Sequence, residues 1–288
     1  MKPTLPVFII GNPRSGTSLL RLMLTSHPDV IIPPESHFFL WLEERYCHGI
    51  TQTNKLDFIE DLYKATKFET WEIDKESVLS LLNVNYISYS EIIKNIYMLY
   101  GQNHNKVNLK YWGDKNKLWK QKLPKILKYF PNTRFIHIVR DGRDVACSFR
   151  SLVELSLNSI YAPVLPTEIT EIAERWRTNL LAINTFLDGV NPLYKLTIRF
   201  EDLIIDPVNT LMVIMEFLML EFDQSMLDFS EENRKHGYEP NEFMSWKLKL
   251  NSKLDTSNIG KYKQLLTLSE INYFESINNK WLTKYGYE

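Results

Sequence analysis

The stretch Gly11-Asn12-Pro13-Arg14-Ser15-Gly16-Thr17-Ser18 follows a short β-branched and aromatic run and opens a segment with leucines at helical spacing. A strand, a glycine-bracketed turn and a helix N-terminus make an anion site, because successive backbone N–H groups and the helix dipole converge there. Gly11 and Gly16 permit the tight backbone, Arg14 adds positive charge, and Thr17 and Ser18 add hydroxyl donors. In this G-x-x-x-x-G-T-S pattern a nucleotide triphosphatase carries Lys where Thr17 stands, which weighs against a kinase or NTPase. The plainer alternative is a strand-to-helix turn that binds nothing.

A second anion site is expected in RFIHIVRDGRDVACSFR, residues 134–150. Arg140 comes directly after a strand, at the carboxyl edge where parallel sheets hold ligands. Ser148 lies eight residues on, about two helical turns, and so shares a face with the start of the following helix. Arg143 and Arg150 read as solvated or paired with acids such as Asp141 and Asp144. Two phosphate sites on one sheet edge suit a nucleotide with phosphates at both ends of its ribose.

Glu35, in PPESH after the second strand, is expected near the same edge. It is either a general base or an acid favouring the first turn of a helix. His37 is the second candidate base, since neutral imidazole has a suitable pKa. Lys115, in WGDKN, either neutralises charge at the reacting centre or is a solvated loop lysine. Asp114 either orients Lys115 or caps a turn. The other histidines show no ligand-like spacing, and His137, inside a strand, reads as buried and hydrogen-bonded. Trp246 is a candidate for stacking on an adenine. Cys47 and Cys147 offer neither a disulfide framework nor metal-ligand spacing, so no metal is expected.

Strands are expected at 7–10, 30–32, 107–112, 134–139 and 193–200. Helices are expected at 15–26, 56–66, 89–100, from 141 onward, and at 167–187, 207–220 and 270–284. This alternation predicts an α/β fold of three layers, a mostly parallel central sheet covered on both faces, with a P-loop-like phosphate-binding loop. Residues 51–106, rich in Lys, Asn and Tyr and without strand runs, read as a helical insertion in a single domain spanning 1–288. Residues 230–257 read as a long polar loop. With 34 Lys plus Arg against 35 Asp plus Glu, the net charge of -1 excludes bulk electrostatic binding of nucleic acid or membrane. The longest apolar stretches are too short to span a bilayer, and residues 1–6 leave no room for a signal segment before the first strand. A cytoplasmic location is the expectation, and the Lys-, Asn- and Ile-rich composition hints at an AT-rich, bacterial genome.

These residues resemble the family of sulfotransferases that use 3′-phosphoadenosine 5′-phosphosulfate (PAPS). PRSGTS resembles the family's 5′-phosphosulfate loop, and VRDGRDVACS its 3′-phosphate motif. IRFEDLIIDP (198–207) and SNIGKYKQLL (257–266) resemble two later segments, the second being a loop that closes over the nucleotide. The PRSGT spelling is similar to the tyrosylprotein and bacterial branch. The resemblance implies that Arg14, Ser15, Gly16, Thr17 and Ser18 bind the 5′-phosphosulfate. It implies that Arg140, Ser148, Ser257, Gly260 and Lys261 bind the 3′ end, and that Glu35, Arg14 and Lys115 are catalytic. Phe200 replaces a Tyr, and Leu152 an Arg, of that branch. The implied activity is sulfuryl transfer from PAPS to a hydroxyl of a small molecule, glycan, lipid or peptide, with 3′,5′-ADP (PAP) as product. The competing readings are a divergent P-loop kinase or NTPase and a non-catalytic nucleotide-binding protein of the same fold. The acceptor and the oligomeric state are outside what the residues specify.

Overall fold

A computed structural model describes residues 4–116, 122–155, 157 and 159–287. Met1-Lys2-Pro3, part of the segment read as leaving no room for a signal, lies outside the described residues.

Five parallel strands form the central sheet: β1 (Leu5–Gly11), β2 (Val30–Ile31), β5 (Tyr111–Lys115), β6 (Arg134–Val139) and β7 (Lys195–Arg199), in the order β2-β5-β1-β6-β7. The first and second strands are therefore not neighbours, because β5 enters between them. Side chains of β1 alternate between two cores. Val7 and Ile9 join one apolar cluster, and Phe8 and Ile10 the other. Strands buried on both faces read as continuous apolar runs, as β1 and β6 do.

On one face lie α1 (Thr17–Ser26), α9 (Phe200–Ile205), α10 (Pro207–Leu218) and α11 (Phe229–His236). On the other lie α2 (Phe38–Tyr46), α3 (Lys55–Lys64), α4 (Lys75–Leu81), α5 (Tyr89–Asn103) and α6 (Leu123–Tyr129). Beyond the end of β6, α7 (Gly142–Val153), α8 (Ile169–Asp188), α13 (Tyr262–Leu265) and α14 (Leu268–Lys284) share a third cluster around Trp176 and Phe274. The short α12 (Asn241–Met244) carries Phe243 into a fourth cluster with Leu152 and Trp246.

Four expectations are corrected. The strand expected at 107–112 starts at Tyr111, not at 107, and runs through Gly113-Asp114 to Lys115. Gly113 fits there because a Cβ would lie 2.0 Å from the carbonyl oxygen of Val7. Phe200 opens α9 rather than ending a strand. The segment 51–106 holds, besides its helices, a two-stranded antiparallel pair of β3 (Ile50–Thr51) and β4 (Tyr86–Ile87). Residues 230–257 are not one loop: α11 and α12 and two 3-10 turns fall there. The helices are short and bury few apolar residues, Phe229 in α11 and Phe243 in α12, so their periodicity is too weak to read.

Candidate functional site

A cavity of about 410 Å³ opens at the carboxyl ends of β1, β5 and β6. Its floor is the turn from β1 into α1. Gly16 adopts φ 88 there, and a Cβ at this position would sit 2.4 Å from Cδ2 of Phe200. Arg14 is also left-handed, at φ 66, a conformation that costs an L-residue on the order of 1–2 kcal/mol. Helix α1 starts with no side-chain cap and no acid in its first turn. The buried hydroxyl of Ser15 has no hydrogen-bond partner among the described residues. These are the marks of a turn shaped to receive an anion.

Two arginines meet above this turn. Arg14 Nε donates to Ser148 Oγ at 3.1 Å, and Arg140 donates to the backbone oxygen of Arg14 at 3.0 Å. Burial, and then the charge of Arg140, lower the Arg14 pKa to about 10. Burial likewise pushes Arg140 down, against the opposing pull of Asp144, Glu201 and Asp141. The Arg140 guanidinium lies 4.6 Å from the ring centre of Phe200, and its Nε is buried without a partner. Desolvated like charges side by side favour an anionic ligand between them. Phe200 thus roofs Gly16 and stacks on Arg140, an apolar role that needs no hydroxyl.

The C-terminal segment is tied to the same place. Arg140 donates to the backbone oxygen of Asn258 at 2.9 Å, and Asp144 accepts from the N–H groups of Gly260 (2.7 Å) and Tyr262 (3.0 Å). Lys261 lines the cavity, as do Thr17, Ser18 and Ser148. Ser257 does not: it is exposed, and its hydroxyl donates to Asp255 at 2.5 Å. Gly260, at φ 73, contributes the backbone donor to Asp144 and is not on the cavity wall. Arg143 pairs with Asp141 and Glu275, and Arg150 with Glu270, so both are structural. Leu152 packs with Phe243 and Trp246, where an Arg would meet apolar neighbours. Trp246 lines the cavity and accepts from Arg14 through its backbone oxygen at 3.5 Å.

Glu35 lines the same cavity, its side chain 9% exposed. Oε2 is 3.4 Å from Nζ of Lys115 and 3.8 Å from Nζ of Lys67, and Oε1 is 3.5 Å from Nε2 of His37. Glu35 precedes α2 but does not cap it, for His37 is the N-cap residue and makes no side-chain cap bond. Lys115 is the last residue of β5 and is buried, not a solvated loop lysine. Asp114 accepts from Tyr97 Oη at 2.5 Å and from the Lys115 N–H at 2.6 Å, so it fixes the backbone of Lys115 rather than its ammonium. His137 is fully buried, but neither ring nitrogen finds a partner, and burial pushes its pKa down to about 3. It is a neutral core residue, not a hydrogen-bonded one.

Lys67, Lys247 and Lys253 line the cavity and escaped the sequence reading, and the first two make described ion pairs. Lys67 comes from the 3-10 turn at Phe68–Trp71, and Lys247 from the segment after α12. Lys247 pairs with buried Glu239, which also meets Arg21 of α1 at 2.5 Å. Burial alone would push Glu239 up, but Lys247 and Arg21 outweigh it and hold the carboxyl down to about 2. Burial pushes Lys247 down to about 8, against Glu239. Nothing local in the sequence marks Lys67 or Lys247, since each reaches the site through tertiary packing.

Asp114 yields a pH prediction. Burial pushes its carboxyl up from 3.8 to about 7; Tyr97 and the Lys115 N–H pull the other way, and the Glu35 charge adds to the rise. The folded state therefore holds this proton where the unfolded chain has lost it. The associated stability is full below about pH 4 and is lost as pH rises to about 7, a change on the order of 4 kcal/mol at about 1.4 kcal/mol per pKa unit. Urea unfolding across this window should show that decline in the wild type and a flatter profile in Asp114→Asn. Equal slopes would refute the assignment.

Comparison with known proteins places this geometry in context. A family model described as "Sulfotransferase family" matches residues 6–224. Protein-tyrosine sulfotransferase 1 of Danio rerio is 23% identical over 232 residues, covering 80% of this chain but 58% of the relative. The chain thus spans a little over half the length of that relative. Among solved structures, the sulfotransferase domain from the curacin biosynthetic pathway superposes with a TM-score of 0.61 at 21% identity, covering 96% of this chain and 98% of that one. A mouse sulfotransferase complexed with PAP gives 0.53 at 13% identity, over 97% and 85% of the two chains. At such identities the superpositions establish a shared fold.

Proposed function

Because the chain belongs to the sulfotransferase family, we propose that it transfers a sulfuryl group from PAPS to a hydroxyl of an acceptor, with Glu35 as the general base. One observation carries this reading: a single cavity is lined by two desolvated arginines beside a glycine-bracketed strand-to-helix turn and by a lysine-flanked carboxylate. The orphaned hydroxyl of Ser15, the unpartnered Nε of Arg140 and the uncapped start of α1 fit a bound phosphate or sulfate. Arg14, Ser15, Gly16, Thr17 and Ser18 would hold the 5′ end, and Arg140, Ser148 and Lys261 the 3′-phosphate. Ser257 and Gly260 would serve through the loop they shape. When bound, PAPS supplies the sulfuryl group. Glu35 accepts the proton shed by the acceptor oxygen, while Arg14 and Lys115 set positive charge against the negative charge that develops. His37, 3.5 Å from Glu35, is placed to assist it.

The acceptor is an alcohol or phenol of a small molecule, glycan, lipid or peptide, and the relative's protein-tyrosine specificity makes a peptide tyrosine one candidate. Among the described residues no helix is long and apolar enough to cross a membrane. We further propose a reducing, cytoplasmic setting, supported by Cys47 and Cys147 both being free thiols.

The test is thermal unfolding with PAP, and separately with ATP plus Mg²⁺. A ligand that binds only the folded state stabilises it by about 2.7 kcal/mol at one hundred times its dissociation constant. Stabilisation by PAP, unchanged by chelation of divalent ions, is the expected result. Stabilisation by ATP with Mg²⁺ alone would replace this reading with a P-loop kinase, and a response to neither would leave a non-catalytic member of the fold.

A further inference from the structure

We infer that Lys67 is a positioning residue for Glu35, holding its carboxylate ionised and in place so that Lys115 is available to the reacting centre. The inference rests on the sulfuryl-transfer reading of this cavity. Both ammonium groups address the same oxygen of Glu35, Lys115 at 3.4 Å and Lys67 at 3.8 Å. If Lys115 alone balanced Glu35, neutralising charge on the transferred group would strip the base of its counter-ion. A second lysine, anchored elsewhere, removes that conflict.

Lys67 is anchored elsewhere. It belongs to the helical segment between β2 and β5, not to the sheet edge that carries Lys115. Its backbone is left-handed at φ 68, and its carbonyl accepts from the N–H and the hydroxyl of Thr70, at 3.3 and 2.8 Å. The segment around it is bonded directly to the one around Glu35. The Thr66 carbonyl accepts from the N–H of His37 (3.3 Å) and the hydroxyl of Ser36 (3.5 Å), and Trp71 Nε1 donates to the Pro34 carbonyl at 3.0 Å. These bonds bracket Glu35 on both sides. The ammonium of Lys67 also lies 5.0 Å from the ring centre of Phe243, which confines it further. Backbone contacts thus hold together the two segments that carry Lys67 and Glu35.

Among the described residues, the following charged or titratable groups face Glu35. Lys67 faces it from the 3-10 turn, Lys115 and Asp114 belong to β5, and His37 lies on its own segment. An opposite charge within about 4–6 Å lowers a carboxyl pKa by about 1–3 units. Removing Lys67 should therefore raise the Glu35 midpoint by about one unit or more, whereas Lys67→Arg should keep it near the wild-type value.

The experiment is carboxyl ¹³C NMR of glutamate-labelled full-length protein with PAP added, the Glu35 signal being assigned with Glu35→Gln. Lys67→Met and Lys67→Gly are both titrated. The glycine variant suits the left-handed backbone, so it removes the ammonium without adding strain. An upward shift in the variants with rescue by Lys67→Arg supports the inference, and an unmoved midpoint in the folded variants overturns it. In turnover assays with PAPS the acid limb of kcat should move up by the same interval, with KM for PAPS unchanged. If the NMR shift appears but the wild type turns over no acceptor, the Glu35–Lys67 coupling stands and the sulfuryl-transfer reading fails.

Discussion

Replacement of Glu35 by Gln is expected to lower kcat by about 10²–10⁴-fold, the usual contribution of a positioned proton acceptor, while PAP binding is retained. The amide is nearly isosteric and can still meet Lys115, but it cannot take a proton from an acceptor hydroxyl. The described ion pairs of Glu35 are with Lys115, Lys67 and His37, whereas Arg14 and Arg140 bond to Ser148 and to backbone carbonyls. Single-turnover kinetics with PAPS and a screened acceptor would measure the loss, and the PAP-induced thermal shift would report the intact nucleotide end. If Glu35→Gln keeps more than half of wild-type turnover and His37→Gln abolishes it, the base is His37, which is 3.5 Å away.

Arg140→Met is expected to weaken PAP binding at least thirtyfold. Truncating one partner of a buried, hydrogen-bonded charge pair costs about 2–5 kcal/mol. Arg140 has two tasks that a single substitution removes together. It offers a buried positive charge to the ligand, and it joins the anion-binding turn to the C-terminal segment through the carbonyls of Arg14 and Asn258. Ser148→Ala, which deletes one neutral hydroxyl, should cost far less. Isothermal titration with PAP separates the two, and equal losses would mean that Arg140 acts on the fold and not on the ligand.

The parts of the site that were legible before the structure are those built from contiguous chain. The turn after β1 and the stretch from Arg140 to Ser148 are each a strand end running into a helix, so spacing alone aims their side chains. Glu35 and Lys115 could be placed at an edge but not in contact, because their meeting depends on β5 lying between β1 and β2. Lys67 and Lys247 were illegible for the same reason in stronger form, being separated from Glu35 in sequence and delivered by loop packing. Ser257 was named from a matching segment alone, and the hydroxyl here donates to an aspartate two residues away, a contact that spacing does not reveal. Spacing also could not reveal that His137 lacks partners, since hydrogen bonding of a buried ring depends on neighbouring strands and helices.

The bonds from Thr66 and Trp71 to residues 34–37 bear on how acceptor preference could change over evolutionary time or by design. Within the segment between β2 and β5, the turn that carries Lys67 braces the loop that carries Glu35. A graft that swaps the whole segment would alter the base together with the pocket. Grafts that leave residues 34–37 and 66–71 unchanged should preserve proton abstraction while the rest of the segment diverges.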